Sequence, residues 1–383
     1  MTLSSEGARS GGRPPAGGPQ AVQRMPQIGR WRLERRMHVP AVAQVGALIV
    51  ALLASLVMTA LLIAGAGANV LVAFGAMARG AFGNRPAVIE TLVQATPLIF
   101  TGLAVALAFR GGIWNIGAEG QFFAGAMAAY WAASGLGGVP PALGILCVLV
   151  AAAIGGAAWG SIAGFLKARY GASEIIVTVM MNFIISPNLL SFLLGGPWQE
   201  PGSHFFQTAP TPTSLALPRL MAGGRLHLGF VVALLVAVGV GFMLWRTTFG
   251  YEVRALGSNP DAARAKGINV PALTVLIMAL SAAIAGLAGA SELLGVDHRL
   301  RLDISTGYGF TGIIIALLGR LHPVGVIIAA IFFGALVNGG LAMQIATGVP
   351  VALINTIQGL TLMFLLTADV MARYRIRRVY TDV

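Results

Sequence analysis

Long apolar runs alternate along this chain with short segments rich in glycine, proline or charge. The runs without Asp, Glu, Lys or Arg cover residues 37–78, 91–109, 120–166, 175–199, 226–245, 267–291 and 321–368. A helix of about 20 residues crosses a bilayer, so each run is long enough for one crossing and the longest for two. The pattern predicts a polytopic helical membrane protein.

Turn residues divide the longest runs at residues 135–141 and 347–350. The predicted spans are residues 42–64, 90–109, 120–134, 141–166, 174–195, 227–245, 271–292, 309–319, 323–341 and 351–369. We therefore expect an all-α transmembrane bundle of about ten spans.

Composition agrees with this class. Hydrophobic residues make up 57% of the 383 residues, glycine adds 51, and only 10% are charged, against roughly 25% charged in soluble domains. The net charge of +12 does not indicate nucleic-acid binding, because the Lys and Arg residues flank apolar spans. With the N-terminus inside, 19 of the 25 Lys and Arg residues are cytoplasmic, as the positive-inside rule requires. Both termini are predicted to be cytoplasmic.

Three regions follow from these patterns. Residues 1–40 are rich in Arg, Gly and Pro and are expected to form a disordered cytoplasmic extension. Residues 41–370 are the transmembrane domain. Residues 371–383 are a basic cytoplasmic tail.

The segment Arg110–Gln121 joins two apolar spans and contains four glycines between Gly111 and Gly120. Irregular backbone within a membrane survives only where it is buried in protein or lines a cavity. Asn115, Glu119 and Gln121 add side chains that are costly to bury without partners, so they mark a functional segment. We expect them to line a translocation path; the alternative is a cytoplasmic turn at the surface.

A second glycine-rich break, Ser305–Gly312, precedes another short span and adds Tyr308 and Thr311 to the candidate path. Two short, broken segments at corresponding places are typical of transporters with inverted repeats. Spans two to five and seven to ten would be the halves. Asn182, eight residues into its span, completes the candidate path, although an amide between helices is also common structural glue.

The inner loop Thr248–Val270 predicts a short cytoplasmic helix of about two turns. Asn259 is a good N-cap, Pro260 suits the first position, Asp261 favours the positive end of the helix dipole, and Gly267 closes the C-terminus. An ordinary capped connector gives the same pattern.

The sequence lacks the motif by which P-loop ATPases bind ATP. A P-loop needs Gly-Lys-Ser/Thr, but the only lysines, Lys167 and Lys266, follow Leu and Ala. The chain therefore carries no P-loop ATPase motif and is predicted not to be an enzyme. We expect no metal site, and interpret Asp297, His298 and Asp303 as a solvated outer loop.

Four segments carry a family resemblance: Gly112–Gln121, Glu174–Asn182, Gly257–Ile268, and Gly307–Ile313 followed by Ala316–Pro323. They resemble bacterial ABC-importer permeases of the branched-chain amino acid and ribose type. More narrowly, they resemble nucleoside (guanosine-type) and simple-sugar permeases that work with basic-membrane-protein-type binding lipoproteins. The resemblance covers about residues 41–369.

The resemblance implies a multi-pass subunit of the bacterial inner membrane that translocates a solute. Its partners would be ABC ATPase subunits, a second copy or sister permease, a periplasmic substrate-binding lipoprotein and membrane lipids. ATP and magnesium would be bound by the ATPase, with no cofactor in this chain. The resemblance also implies that the short inner helix couples to the ATPase. Its residues are Arg254, Gly257, Asn259, Pro260, Asp261, Ala262, Ala263 and Gly267.

For the solute, a path with amides and few charges favours a nucleoside, with a simple sugar as the alternative. Branched-chain amino acids rank third, because a zwitterion needs a charge pair. A standalone secondary transporter or channel explains the broken spans equally well, but leaves the coupling-type helix without a role.

Overall fold

A computed structural model describes residues 31–35 and 41–378 of the chain. The helices of this part are α1 (Ala41–Gly65), α2 (Val70–Phe82), α3 (Arg85–Arg110), α4 (Ala118–Gly135), α5 (Pro141–Tyr170), α6 (Glu174–Phe183), α7 (Ser191–Leu194), α8 (Leu228–Arg246), α9 (Thr248–Ser258), α10 (Pro260–Ala265), α11 (Val270–Glu292), α12 (Tyr308–Leu318), α13 (Pro323–Thr347) and α14 (Val351–Arg373). Wider π-helical turns, Ile184–Leu190 and Leu293–Asp297, join α6 to α7 and extend α11.

The prediction of ten spans is not confirmed. Within the described residues, six helical segments are long and apolar enough to cross a membrane: Arg85–Arg110, Pro141–Tyr170, Glu174–Leu194, Leu228–Arg246, Val270–Asp297 and Pro323–Thr347. A seventh is added if the bent pair Ile49–Gly65 and Val70–Phe82 counts as one span. The predicted span at α12 has 11 residues, about 16 Å at 1.5 Å per residue, which is half of a hydrocarbon core.

Helix α2 lies where the sequence analysis placed no span. Asn69 caps it, because its side-chain oxygen accepts hydrogen bonds from the backbone N–H groups of Leu71 (3.0 Å) and Val72 (3.2 Å). The chain turns by 119° between α1 and α2, and Gly67, at φ +77°, lies in that turn. Helix α2 packs along α13.

Helix α3 lies at the centre of the bundle. Every residue from Ala95 to Ala108 is buried, as expected for a helix that is apolar all round. It packs against α8, α11, α12 and α13.

Helices α4, α5 and α11 form a second closely packed group. Glycine and alanine make the contacts: a Cβ at Gly125 would overlap Gly286, and a Cβ at Gly156 would overlap the carbonyl of Ala282. Small residues allow helix backbones to approach closely inside membranes. At these positions the helices are therefore stabilised by close contact between their backbones.

The packing also bears on the predicted halves, α3–α6 and α11–α14. Helix α11 packs against α4 and α5 of the first half, and α3 packs against α12 and α13 of the second. The first helix of each half thus packs against helices of the other half. These contacts join the two predicted halves, and the inverted repeat itself stays a prediction.

Two short strands depart from the all-helical prediction. β1 (Trp31–Arg35) and β2 (Tyr374–Arg378) pair antiparallel, with Trp31 opposite Arg378. Helices α1 and α14, which follow β1 and precede β2, also pack together. The rest of the predicted disordered extension, residues 1–30 and 36–40, and the end of the basic tail, 379–383, lie outside the described residues.

Candidate translocation path and coupling helix

The first break begins where α3 ends and runs from Gly111 to Gly117. Gly112 has φ +70°, a conformation that favours glycine. Asn115 and Gly117 are buried, whereas Trp114 is 51% exposed and packs against Phe109, with tilted rings whose centroids are 4.7 Å apart. The break therefore starts at the surface and enters the protein interior, where its polar groups need partners.

Two of the predicted path residues pair with each other. The Asn115 side-chain nitrogen donates to the Gln121 oxygen (2.9 Å), and the Gln121 nitrogen donates back to the Asn115 oxygen (3.0 Å). Asn115 also donates to the Ser281 hydroxyl (2.8 Å), which donates to the Ala104 carbonyl (2.6 Å). Both amides are at most 1% exposed. This network ties the break to α3 and α11.

Asn182 holds the break from the other side. Its side-chain oxygen accepts a hydrogen bond from the Gly120 N–H (2.8 Å), and its nitrogen donates to the Ile116 carbonyl (3.0 Å). One turn earlier, the Thr178 hydroxyl accepts from the Ile116 N–H (3.3 Å). The side chains of α6 thus replace the helical hydrogen bonds that the break lacks.

Glu119 links the first break to the second. Its carboxylate accepts a hydrogen bond from the Gly309 N–H (2.6 Å) in the first turn of α12, which is where an anion is favoured by the free N–H groups of a helix. Gly309 is required for this approach, because a Cβ there would overlap the backbone of Glu119.

Tyr308 begins α12, and Thr311 follows one turn later. The backbone N–H groups of Gly307 and Tyr308 donate to the Ser305 hydroxyl at 3.1 and 3.2 Å. The Tyr308 hydroxyl lies 3.4 Å from the Gln94 side-chain oxygen, and its ring lies 5.9 Å from that of Phe122. Tyr308 is buried and Thr311 is half-buried. Tyr308 therefore lies in the same buried polar region as Glu119, whereas Thr311 is only half-buried.

The other end of α12 is bound by Arg110. Its guanidinium donates to the carbonyls of Leu321 (3.0 Å) and Arg320 (3.3 Å). It also lies over the Trp245 ring, 5.6 Å from the centroid. Arg110 gives no signal of its own in the sequence, because a cation at a span end is ordinary under the positive-inside rule.

The short inner helix is present as α10, and its predicted cap is confirmed. The Asn259 side-chain oxygen accepts from the N–H groups of Asp261 and Ala262, both at 3.0 Å. Pro260 occupies the first position, and Gly267 follows the helix at φ +82°. With six residues, it is shorter than the two turns expected. Asp261 pairs with Arg264 at 3.3 Å on the exposed side.

The contacts of the inner loop separate its residues into two groups. Gly257 lies on the first break, since a Cβ there would overlap the Arg110 carbonyl, and Ala263 is 3% exposed. The second group is exposed and comprises Asn259, Pro260, Asp261, Ala262 and Gly267. Gly257 is exposed as well, although its backbone lies against Arg110. Arg254 is half-buried, and one of its guanidinium nitrogens has no hydrogen-bond partner among the described residues.

Several charged side chains near the start of α8 and in the loop before α12 are paired. An ion pair joins Arg225 to Glu90, and its hydrogen bond raises the Arg225 pKa. Burial lowers the pKa of His227 to about 4. The predicted solvated group is an ion-pair cluster, in which Arg301 contacts Asp297 (3.0 Å) and Asp303 (3.3 Å). No group of three or more metal-ligating side chains occurs within the described residues.

Comparisons with known proteins show the family of the chain. Residues 87–366 match the family described as branched-chain amino acid transport system / permease component. No solved structure matches the chain.

Three relatives are similar over most of their length. The glucose ABC transporter permease protein TsgB13 of Haloferax volcanii is 36% identical over 90% of this chain and 93% of its own. The guanosine ABC transporter permease protein NupP of Bacillus subtilis is 38% identical over 82% and 91%. The nucleoside ABC transporter permease protein NupB of Lactococcus lactis is 30% identical over 74% and 80%. The chain therefore belongs to the family of branched-chain amino acid transport system permease components.

Proposed function

We propose that this chain is the membrane-spanning subunit of an ATP-driven importer for a nucleoside. The observation that carries the proposal is the capped helix α10, exposed on a chain of the permease family. The cap preforms this helix, and a preformed helix can pass on the movement of a partner as a rigid body.

The ATPase would dock on the exposed face around Asn259 and Asp261. The unpartnered guanidinium nitrogen of Arg254 supports this, because a buried donor without an acceptor is costly until a partner supplies one. An acidic side chain on the ATPase would fit. ATP and magnesium belong to that partner, and solute would arrive from a substrate-binding lipoprotein on the outer side.

The translocation path would run along Asn115, Glu119, Gln121, Asn182, Tyr308 and Thr311. Most of these groups already have partners within the protein, so they would hold the path in shape. Tyr308 and Thr311, at the start of α12 just after the second break, would contact the solute. A second copy or a sister permease would complete the path in the inner membrane, with both termini cytoplasmic.

Two relatives named for nucleosides or guanosine support the nucleoside assignment. The relative named for glucose is 36% identical over 90% of this chain, which supports a simple sugar as the second candidate. Uptake of labelled guanosine and glucose by proteoliposomes containing the purified importer decides between them.

The test of the function is purification of the chain in mild detergent from its own membranes. An ATPase that co-purifies, together with ATP-dependent uptake, supports the proposal. If the chain is alone and its proteoliposomes move solute without ATP, the protein is a secondary transporter or channel and the proposal is wrong.

The docking site is tested by Asn259→Ala combined with Pro260→Ala. The double variant should fold, lose the ATPase during purification and lose uptake. Asn69→Ala is the matched control, because it removes the same kind of cap from α2. Unchanged uptake in the double variant contradicts the assignment of α10.

A further inference from the structure

We propose that Gly257 and Arg110 form the joint through which movement of the coupling helix reaches the buried start of α12. This rests on the proposed function, because it takes α10 as the ATPase docking element. The joint makes Gly257 and Arg110 positioning residues for transport, whereas the exposed residues of α10 serve docking.

The first contact of the joint is between two backbones. A Cβ at Gly257 would overlap the Arg110 carbonyl, and a Cβ at Gly112 would lie 3.1 Å from the Gly257 Cα. Val253 and Leu256, on the same helix, are at most 4% exposed. Helix α9 therefore rests directly on the first residues of the break, with no side chain between them that could absorb a displacement.

The second contact is made by the side chain of Arg110. Arg110 donates to the Leu321 and Arg320 carbonyls, which follow the last turn of α12. Both residues have φ +54°, so this turn is held in an unusual conformation. A shift of the Arg110 backbone therefore pulls on the inner end of α12 through charge-assisted hydrogen bonds.

The third contact lies at the opposite end of α12. Glu119, eight residues past the Gly111 start of the break, accepts from the Gly309 N–H. The Thr101 hydroxyl donates to the Tyr308 carbonyl at 3.0 Å. Arg110 and Glu119, in the helices on either side of the first break, thus hold the two ends of one short helix. An 11-residue helix would move between them as a rigid body.

The experiment uses Gly257→Ala in the assembled importer. The added methyl group must push α9 away from Arg110, while the exposed residues of α10 keep their identities. We expect the ATPase to co-purify normally and ATP-dependent uptake to fall by about tenfold, the size of a typical coupling between sites. Gly239→Ala is the matched control, because a Cβ there would meet no atom within 4 Å beyond the backbone of its own helix.

Arg110→Gln is the second variant, since it weakens the same joint without adding bulk. It should lower uptake in the same direction and also spare ATPase binding. If Gly257→Ala fails to fold, Arg110→Gln still tests the proposed joint.

A direct readout comes from a label at the start of α12. Phe310 is 46% exposed, and Cys147 is the only cysteine, so Phe310→Cys in a Cys147→Ala background carries one label. ATP binding should change the label signal in the otherwise unaltered importer and in Gly239→Ala, but not in Gly257→Ala. A variant that is merely misfolded would lower the yield of the complex. It would not keep normal ATPase binding while losing the ATP-induced change in the label signal.

The outcomes separate the two proposals. If no ATPase accompanies the unaltered chain, the proposed function fails. If the ATPase binds and both joint variants transport normally with an unchanged label signal, the joint is wrong and the importer assignment stands.

Discussion

The two broken segments of this chain satisfy their backbone groups in different ways. The break Gly111–Gly117 is held by side-chain amides from within it and from α6. The break before α12 and the first turn of α12 are held by the hydroxyls of Ser305 and Thr101 and by the carboxylate of Glu119, which lies in the first turn of α4 just after the first break. The first break is therefore a structural hub, and the second depends on it.

This difference can be tested most strongly at Asn115. Asn115→Ala removes the acceptor of the Gly117 N–H (2.9 Å) and of the Gln121 amide. We expect a loss of about 3 kcal/mol in the free energy of unfolding in detergent, because two buried donors lose their acceptor. Asn188→Ala is the control, since its amide is exposed. Equal thermal stability of the two variants would contradict the idea of a hub.

The dependence of the second break on the first is tested at Glu119. Glu119→Ala leaves the Gly309 N–H without its acceptor, and we expect a loss of about 2 kcal/mol, as for hydrogen bonds to charged groups. Glu119→Gln keeps an acceptor oxygen and should recover part of this stability. Hydrogen exchange at the start of α12 measures the effect locally. If Glu119→Ala leaves that exchange unchanged, the second break is independent.

The smallest effect is expected at Ser305. Ser305→Ala removes the hydroxyl that accepts from Gly307 and Tyr308, and loss of hydrogen bonds to a half-buried hydroxyl costs about 1 kcal/mol. Hydrogen exchange should increase at the start of α12 but not within the first break. Faster exchange in both breaks would show that the dependence runs in both directions.

The sequence predicted where the backbone is irregular, but not which groups hold it. The glycines between Gly111 and Gly120 indicate a break, and the chain leaves the helix at Gly111. Ser281 and Gly309, which complete the network, lie 166 and 190 residues from their partners. A single serine in an apolar span gives no signal of its own, so these contacts become visible only in the fold.

Short-range patterns were the more reliable ones. The cap at Asn259 depends on the next three residues, and the structure has its hydrogen bonds. Helix α2 was missed because glycines and Arg79 interrupt its apolar pattern, whereas its stability depends on close packing with α13, where Gly80 contacts Ala342. The roles of the path and coupling residues stay predictions.

The pairing of β1 with β2 determines how the protein would yield to a mechanical load. Trp31 lies opposite Arg378 and Arg35 opposite Tyr374, so the outer ends of both strands leave the ribbon on the same side. A force applied through the two ends opens this ribbon one residue pair at a time. The load then reaches α1 and α14, which pack together, before it reaches the central helices. In a single-molecule pulling experiment, the peripheral pair should therefore detach first, at low force, and leave the bundle around α3 intact.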